Sequence, residues 1–183
     1  MNIEKKYDII YMDPPWDYGG GFFKSGDGKR PMTTLEDYDT MSMDELKAMD
    51  IQSVANKDCL IYMWVTNSFL KKGIELGEHW GWDYSNVAFV WYKHASLPAT
   101  YTMQQTEICL VFKRKKGKIP QPRGIRNGKQ FLSERRREAS RKPDEIRYRI
   151  EAMHPTQSKL EMFARTAPEG WDVWGNETDK FTS

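Results

Sequence analysis

Residues 7–16 read Tyr-Asp-Ile-Ile-Tyr-Met-Asp-Pro-Pro-Trp, a short β-branched and aromatic run that stops at an acid and two prolines. The apolar positions of Tyr7–Met12 are nearly continuous, which predicts a strand covered on both faces. Three runs of the same kind follow: Cys59–Val65, Val87–Tyr92 and Ile108–Phe112. Leu160–Phe163 and Trp171–Trp174 are two shorter candidates. Helical signals fall between them. Ser42 and Glu45 have capping-box spacing, which predicts a short helix to about Asp50. Residues 67–80 pair Leu70 with Ile74 and Leu76 with Trp80, and Asn67 or Ser68 is the expected cap. Residues 143–153 open with Pro143, Asp144 and Glu145 and set Ile146, Ile150 and Met153 on one face. Strands alternating with helices predict an α/β fold, a mostly parallel open sheet flanked by helices. Ligands in such sheets bind beyond the carboxyl ends of the strands, where Asp13 is expected.

The chemistry of Asp13-Pro14-Pro15-Trp16 follows from what the prolines remove. They fix the backbone and delete two N–H donors. A carboxylate and aimed carbonyls remain, all acceptors, beside an indole. That set suits a flat group bearing an NH2, such as a nucleobase with an exocyclic amine. The competing reading makes Trp16 a core anchor. Residues 17–41 are a long irregular stretch with three glycines between aromatics, Tyr18-Gly19-Gly20-Gly21-Phe22-Phe23, and are expected to form a flap.

The whole chain of 183 residues has a formal net charge of +2, but the charge is unevenly spread. Residues 113–142 hold 13 basic and 2 acidic side chains, so the remainder is strongly acidic. A loop of this charge predicts a polyanionic partner, with Lys113, Arg114, Lys115 and Lys116 as phosphate contacts. Within it, residues 131–138 are expected to form a helical turn. Cys59 and Cys109 sit inside apolar runs and read as buried reduced thiols, which excludes a disulfide scaffold. No Cys/His cluster points to a metal. No apolar stretch approaches the ~20 residues a membrane span needs, and no signal-peptide segment follows Met1. A cytoplasmic-type compartment and one domain over 1–183 are the expectations.

The chain resembles a known family in blocks that span nearly its whole length. They are YDIIYMDPPW at 7–16, YDTMSMDEL at 38–46, LIYMWVTN at 60–67 and WGWDYSNVAFVWYK at 80–93. TEICLVFKRKKG at 106–117, SRKPDEI at 140–146 and KLEMFARTAPEGWDVWGNE at 159–177 complete the series. In order and at this spacing they are similar to the S-adenosylmethionine-dependent N6-adenine methyltransferases related to the mRNA adenosine methyltransferase catalytic subunit. The resemblance implies a Rossmann-like methyltransferase fold. It implies that Asp13 and the Pro14 carbonyl orient the adenine N6 amine within the rigid Pro14-Pro15 turn. Trp16 would stack on the base and Tyr38 would close from the flap. Asp13, Arg165, Asn176 and Glu177 would hold S-adenosyl-L-methionine.

Two departures accompany the resemblance. The mRNA enzymes carry an extra strand ahead of the catalytic one, and only six residues precede Tyr7 here. Glu161-Met162-Phe163-Ala164-Arg165 stands where many other methyltransferases carry glycines. Compact members without accessory domains look like bacterial or phage DNA enzymes, which puts DNA ahead of RNA as substrate. The strand would be single or the base flipped out. The rivals are a non-catalytic nucleic-acid-binding partner subunit, an RNA adenosine methyltransferase, and methylation of another amine. A homodimer or heterodimer stays open. His154-Pro155-Thr156-Gln157 reads as a helix end, with His154 favouring the C-terminal dipole.

Overall fold

The computed structural model describes residues 4–17, 40–99, 101–137 and 141–175. The expected flap residues Tyr18, Phe22, Phe23 and Tyr38, and the pair Asn176 and Glu177, lie outside the described residues.

Among the described residues, seven strands form one sheet: β1 (Tyr7–Met12), β2 (Ala55–Thr66), β3 (Trp82–Leu97), β4 (Gln104–Arg114), β5 (Phe131–Ser133), β6 (Lys159–Met162) and β7 (Asp172–Trp174). Their order is β5-β3-β4-β2-β1-β6-β7. β1 runs parallel to β2 and β6, β7 parallel to β6, and β5 parallel to β3. β4 alone is reversed, antiparallel to both β2 and β3. The sheet is the mostly parallel, helix-flanked one expected. Its reversed strand brings the start of β4 beside the carboxyl ends of the others.

β2, β3 and β4 extend past their apolar runs. The β3–β4 ladder continues to the pair Leu97–Gln104, beyond the packed core. Polar residues serve there because a hairpin satisfies its own backbone groups. The helical turn expected at 131–138 is instead strand β5. Phe131, Leu132 and Ser133 pair with Val90, Trp91 and Tyr92, and the open edge of β3 offers more hydrogen bonds than an isolated helical turn.

Among the described residues, three α-helices flank the sheet: α1 (Met43–Lys47), α2 (Leu70–His79) and α3 (Asp144–Met153). α1 has the expected capping box, with Ser42 Oγ accepting from Glu45 N and Glu45 accepting from Ser42 N. It ends at Lys47, short of Asp50. α2 is preceded by a 3-10 turn over Asn67–Phe69 and receives no side-chain cap. Asn67 Nδ2 bonds Thr106 O at 3.3 Å and Ser68 Oγ accepts from Gln104 Nε2 at 3.0 Å, so both expected caps are diverted onto β4. Pro143 is the N-cap of α3, in extended conformation, one position ahead of the helical start expected of it.

Successive strand residues point to opposite faces, and both faces are covered. Ile10, Met12, Ile61, Met63 and Val65 pack with Leu46, Leu76 and Trp80 on the α1–α2 side. Ile9, Tyr11, Leu60, Tyr62 and Trp64 pack with Ile146, Ile150 and Trp171 on the α3 side. This double burial is the physical reason the strands read as continuous apolar runs. Gly73 and Gly77 let α2 lie close to the sheet, because a β-carbon on either would overlap Val65 or the Phe112 ring. Both cysteines are free and buried. Burial pushes both thiols up, and the charges of Asp8 and Asp13 add to it.

His154 corrects the dipole reading. It ends α3, but its ring is buried and its Nε2 meets Tyr62 Oη at 2.8 Å. Burial, with the charges of Lys159 and Arg123, pushes its pKa down to about 4, so the ring is a neutral packing element. Its folded pKa lies below the unfolded one. The unfolded chain therefore binds the proton first, and stability falls as pH drops from about 6.5 towards 4. Denaturant unfolding at pH 7 and pH 5 should differ by about 2 kcal/mol more in the wild type than in His154→Gln.

Candidate active site

β1 delivers Asp13 to the carboxyl edge of the sheet, and a tight turn follows at once. Pro14 O accepts Trp16 N at 2.8 Å and Pro15 O accepts Met41 N at 2.8 Å. Asp17 N returns a bond to Met41 O at 3.2 Å, so Trp16 and Met41 form a bridge. The two feet of segment 18–39 are thereby pinned together beside Asp13. Each proline carbonyl keeps a second lone pair, and neither proline has an N–H to offer. Trp16 is 4% exposed, its Nε1 donates to Trp64 O at 3.3 Å, and its ring lies 5.6 Å from Phe69. In the described residues Trp16 is a packed anchor of the turn, the reading that competed with stacking on a base.

Asp13 heads a chain of alternating charges. Lys142 Nζ lies 2.7 Å from Asp13 Oδ2 and 3.1 Å from Glu107 Oε2, and Lys93 Nζ lies 3.0 Å from Glu107 Oε1. Each residue comes from a different piece of chain. Asp13 follows β1, Glu107 stands near the start of reversed β4, Lys93 is in β3, and Lys142 precedes α3. Lys142 also sits 5.8 Å over the Trp64 ring, whose Nε1 donates to Tyr11 Oη at 2.7 Å. Side-chain exposure is 33% for Asp13, against 13% for Lys142 and 16% for Glu107, so the carboxylate of Asp13 is the open end.

Burial raises the pKa of Asp13, and Glu107 adds to the rise against the opposing Lys142 and Arg165. Burial works the same way on Glu107, but Lys142 and Lys93 outweigh it and hold that carboxyl below the usual range. Burial opposes charge on Lys142, yet its two carboxylates keep the ammonium above the ordinary lysine value. The arrangement fixes one Asp13 oxygen and leaves the rest of the carboxylate to accept from an outside donor.

Lys142 was readable in the sequence only as a residue before a helix, and Glu107 and Lys93 carried no assigned role. Their signal is positional: a lysine interrupts the end of one apolar strand and a glutamate opens the next. Buried charges at adjoining strand ends are expected to pair.

A second cluster supports α3. Arg147 bridges Glu161, at 3.1 Å, and Asp144, which also receives Arg137 and Arg141. Arg165 is partly buried after β6, and its charge reaches Asp13. Thus Asp13, Pro14, Pro15, Trp16, Arg165 and Lys142 lie together at one end of the sheet.

Lys113, Arg114, Lys115 and Lys116 do not. β4 is reversed, so Lys113 pairs with Leu60 and Asp83, and Arg114 with Trp82, at the opposite end. Glu107 to Lys113 is six strand steps, about 20 Å at ~3.3 Å per residue. Arg114 Nη1 is moreover bonded to Ala55 O and Asn56 O at 3.0 and 2.8 Å. The four residues expected as phosphate contacts thus stand at the end of the sheet away from Asp13. The other end of the basic segment returns to the site, where Glu134 N and Arg136 N bond Tyr92 O and Lys93 O.

The family model described as MT-A70 matches residues 7–177. The chain belongs to the MT-A70 family. Type II methyltransferase M.MunI of Mycoplasma sp is 45% identical over 94% of this chain and 78% of its own length. The N(6)-adenosine-methyltransferase MT-A70-like protein of Arabidopsis thaliana is 31% identical over 97% of this chain, which spans 24% of that protein. The N(6)-adenine-specific methyltransferase METTL4 of Mus musculus is 29% identical over 99% of this chain, which spans 39% of it. The MT-A70 chain is a methyltransferase of the adenine-N6 class with the Rossmann-like fold that its sequence blocks imply. Among the described residues no helix is long and apolar enough to cross a membrane.

Proposed function

We propose that this MT-A70 chain transfers a methyl group from S-adenosyl-L-methionine to the N6 amine of adenine in DNA. The observation that carries the reading is the Asp13 turn. A carboxylate pinned by Lys142 at 2.7 Å stands on a donor-free proline backbone at the carboxyl edge of the sheet. When bound, S-adenosyl-L-methionine supplies an electrophilic methyl carried on a sulfonium. The residues present suit such a zwitterion. Arg165, whose charge reaches Asp13, is the cation proposed for its carboxylate, and the Thr66 hydroxyl is buried without a hydrogen-bond partner among the described residues. Asn176 and Glu177 remain the proposed ribose ligands, and Tyr38 the proposed flap contact.

On this reading, Asp13 accepts one amine hydrogen and the free lone pair of the Pro14 carbonyl accepts the other. The amine lone pair is thereby turned out of the ring plane and towards the methyl carbon. The raised pKa of Asp13 fits it to take the proton that the methylated amine releases. Lys142 holds the carboxylate in place and charged while Glu107 holds Lys142. Trp16 sets the turn from beneath.

DNA is preferred to RNA because M.MunI matches over 78% of its own length at 45% identity, whereas the adenosine methyltransferases match at lower identity over a small share of theirs. The test is mass-spectrometric analysis of nucleosides from DNA and RNA oligonucleotides incubated with the chain. N6-methyladenine in DNA is the expected product. Methylated adenosine from RNA alone would favour the RNA reading, and N4-methylcytosine would overturn the base assignment. Failure to bind S-adenosyl-L-methionine in calorimetry would favour a non-catalytic partner subunit.

A further inference from the structure

The basic cluster at the far end of the sheet takes no part in chemistry at Asp13. It lines an open cleft of about 450 Å³ formed by Lys6, Ala55, Asn56, Lys57 and residues 114–117. Five of these lining residues are cationic and none is acidic. Arg114 is structural, bonded to Ala55 O and Asn56 O and 5.3 Å over the Trp82 ring. Lys6, Lys57, Lys115 and Lys116 have no carboxylate partner among the described residues. The carboxylates nearby are already engaged: Asp58 accepts Lys118 N, and Asp8 accepts from Asn56 and Ser158.

The turn itself is built to present a cation. Gly117 N bonds Arg114 O at 2.9 Å, and Lys116 adopts φ 61°, the left-handed region that favours glycine. A lysine is less at ease than glycine in that conformation, and this one stands at the rim of the cationic cleft. A β-carbon on Gly117 would meet Lys57 O at 2.8 Å, so the turn is seated directly on β2.

We infer that this cleft seats backbone phosphates of the nucleic-acid substrate, remote from the adenine site. The inference rests on the proposed nucleic-acid substrate and extends it to a second contact. About 20 Å of strand separates the cleft from Glu107, which is roughly six nucleotides at 3.4 Å each. The chain between them follows the same course. Gly124 and Ile125 bond Met153 O and Ala152 O at the end of α3, β5 runs up the edge of β3, and Arg136 N reaches Lys93 O. Arg123, Arg126 and Lys129 lie along this course without a carboxylate partner among the described residues. A flank of substrate thus has an unneutralised track from the catalytic end to the cleft.

Binding and methyl transfer are measured on adenine-containing DNA of about 30 nucleotides and of about six, for wild type, Lys115→Glu/Lys116→Glu and Lys116→Gly. The double variant should bind the long DNA about 10- to 100-fold more weakly at low salt, its log–log salt slope smaller by about 2. Its loss on long DNA should exceed its loss on short DNA by about 10-fold or more. Lys116→Gly should melt no lower than wild type, because glycine suits the turn, yet its slope should shrink by about one phosphate. Unchanged affinity and slope on long DNA would overturn the seat and leave the cleft to an acidic protein partner. Equal losses on long and short DNA would also overturn it, since the lysines would then act through the fold or the catalytic end. A wild-type chain that binds neither DNA would instead overturn the substrate reading itself.

Discussion

Asp13→Ala is expected to lower kcat/KM for methyl transfer to adenine by about 10²–10³-fold, the scale of removing a principal transition-state contact. The side chain does two things that alanine cannot: it accepts from the amine, and it takes up the released proton. The fold should survive the change. Lys142 keeps Glu107 at 3.1 Å as its partner, and loss of Asp13 removes the carboxylate whose pKa Glu107 raises. Thermal melting measured alongside the rate separates the two effects, and a melting temperature near that of wild type is expected. Asp13→Asn keeps an acceptor without the charge or the basicity, so its rate should fall between the two.

Lys142→Met should act mainly on stability. Lys142 is the one cation shared by Asp13 and Glu107 among the described residues, and its side chain is only 13% exposed. Removing it leaves two carboxylates without their common partner, which costs about 3–5 kcal/mol for a buried pair broken from one side. The pH dependence has a definite sign. In the wild type the Glu107 pKa is held down, so its contribution is present above the unfolded value and lost as pH falls through the folded one. In Lys142→Met the Asp13 carboxyl, already raised by burial, should rise further, while Glu107 loses part of its lowering and keeps that from Lys93. The Asp13 contribution would then be present at low pH and lost as pH rises through the folded value. The deficit against wild type should therefore be larger at pH 7 than at pH 4.5, as read by urea unfolding at each. Adding Asp13→Asn should recover part of the loss at pH 7, because it removes the carboxylate left without its ion-pair partner, whereas Glu107 keeps Lys93 at 3.0 Å.

Much of this molecule was legible in the sequence because burial on both faces writes a simple pattern. Tyr7–Met12 is a strand with the residue limits its apolar run implies, and Ser42 with Glu45 forms the capping box. The end of β1 also announced the acid that opens the site. What escaped depends on pairings between distant pieces of chain. Nothing local to Gln104–Arg114 marks it as the reversed strand, yet that reversal puts Glu107 beside Lys142 and sends Lys113–Lys116 to the other end. Phe131–Ser133 looked helical in isolation and became a strand because β3 had an open edge. Trp16 read as a stacking face because it stands beside an acid and two prolines, ahead of three glycines set between aromatics. Its neighbours in space are Phe69 and the Trp64 carbonyl. Lys142 and Glu107 were each visible as charges, but only the register of β4 shows that they share a site.

The central claim is that the Asp13 turn orients an adenine amine for methylation. Single-turnover transfer of labelled methyl from S-adenosyl-L-methionine to an adenine-containing DNA oligonucleotide, by wild type and Asp13→Ala side by side, tests it most directly. Label on adenine N6 with wild type, and transfer slowed at least about 10²-fold in a folded Asp13→Ala protein, is the predicted result. Comparable rates for the two proteins, or label on a base other than adenine, would contradict it.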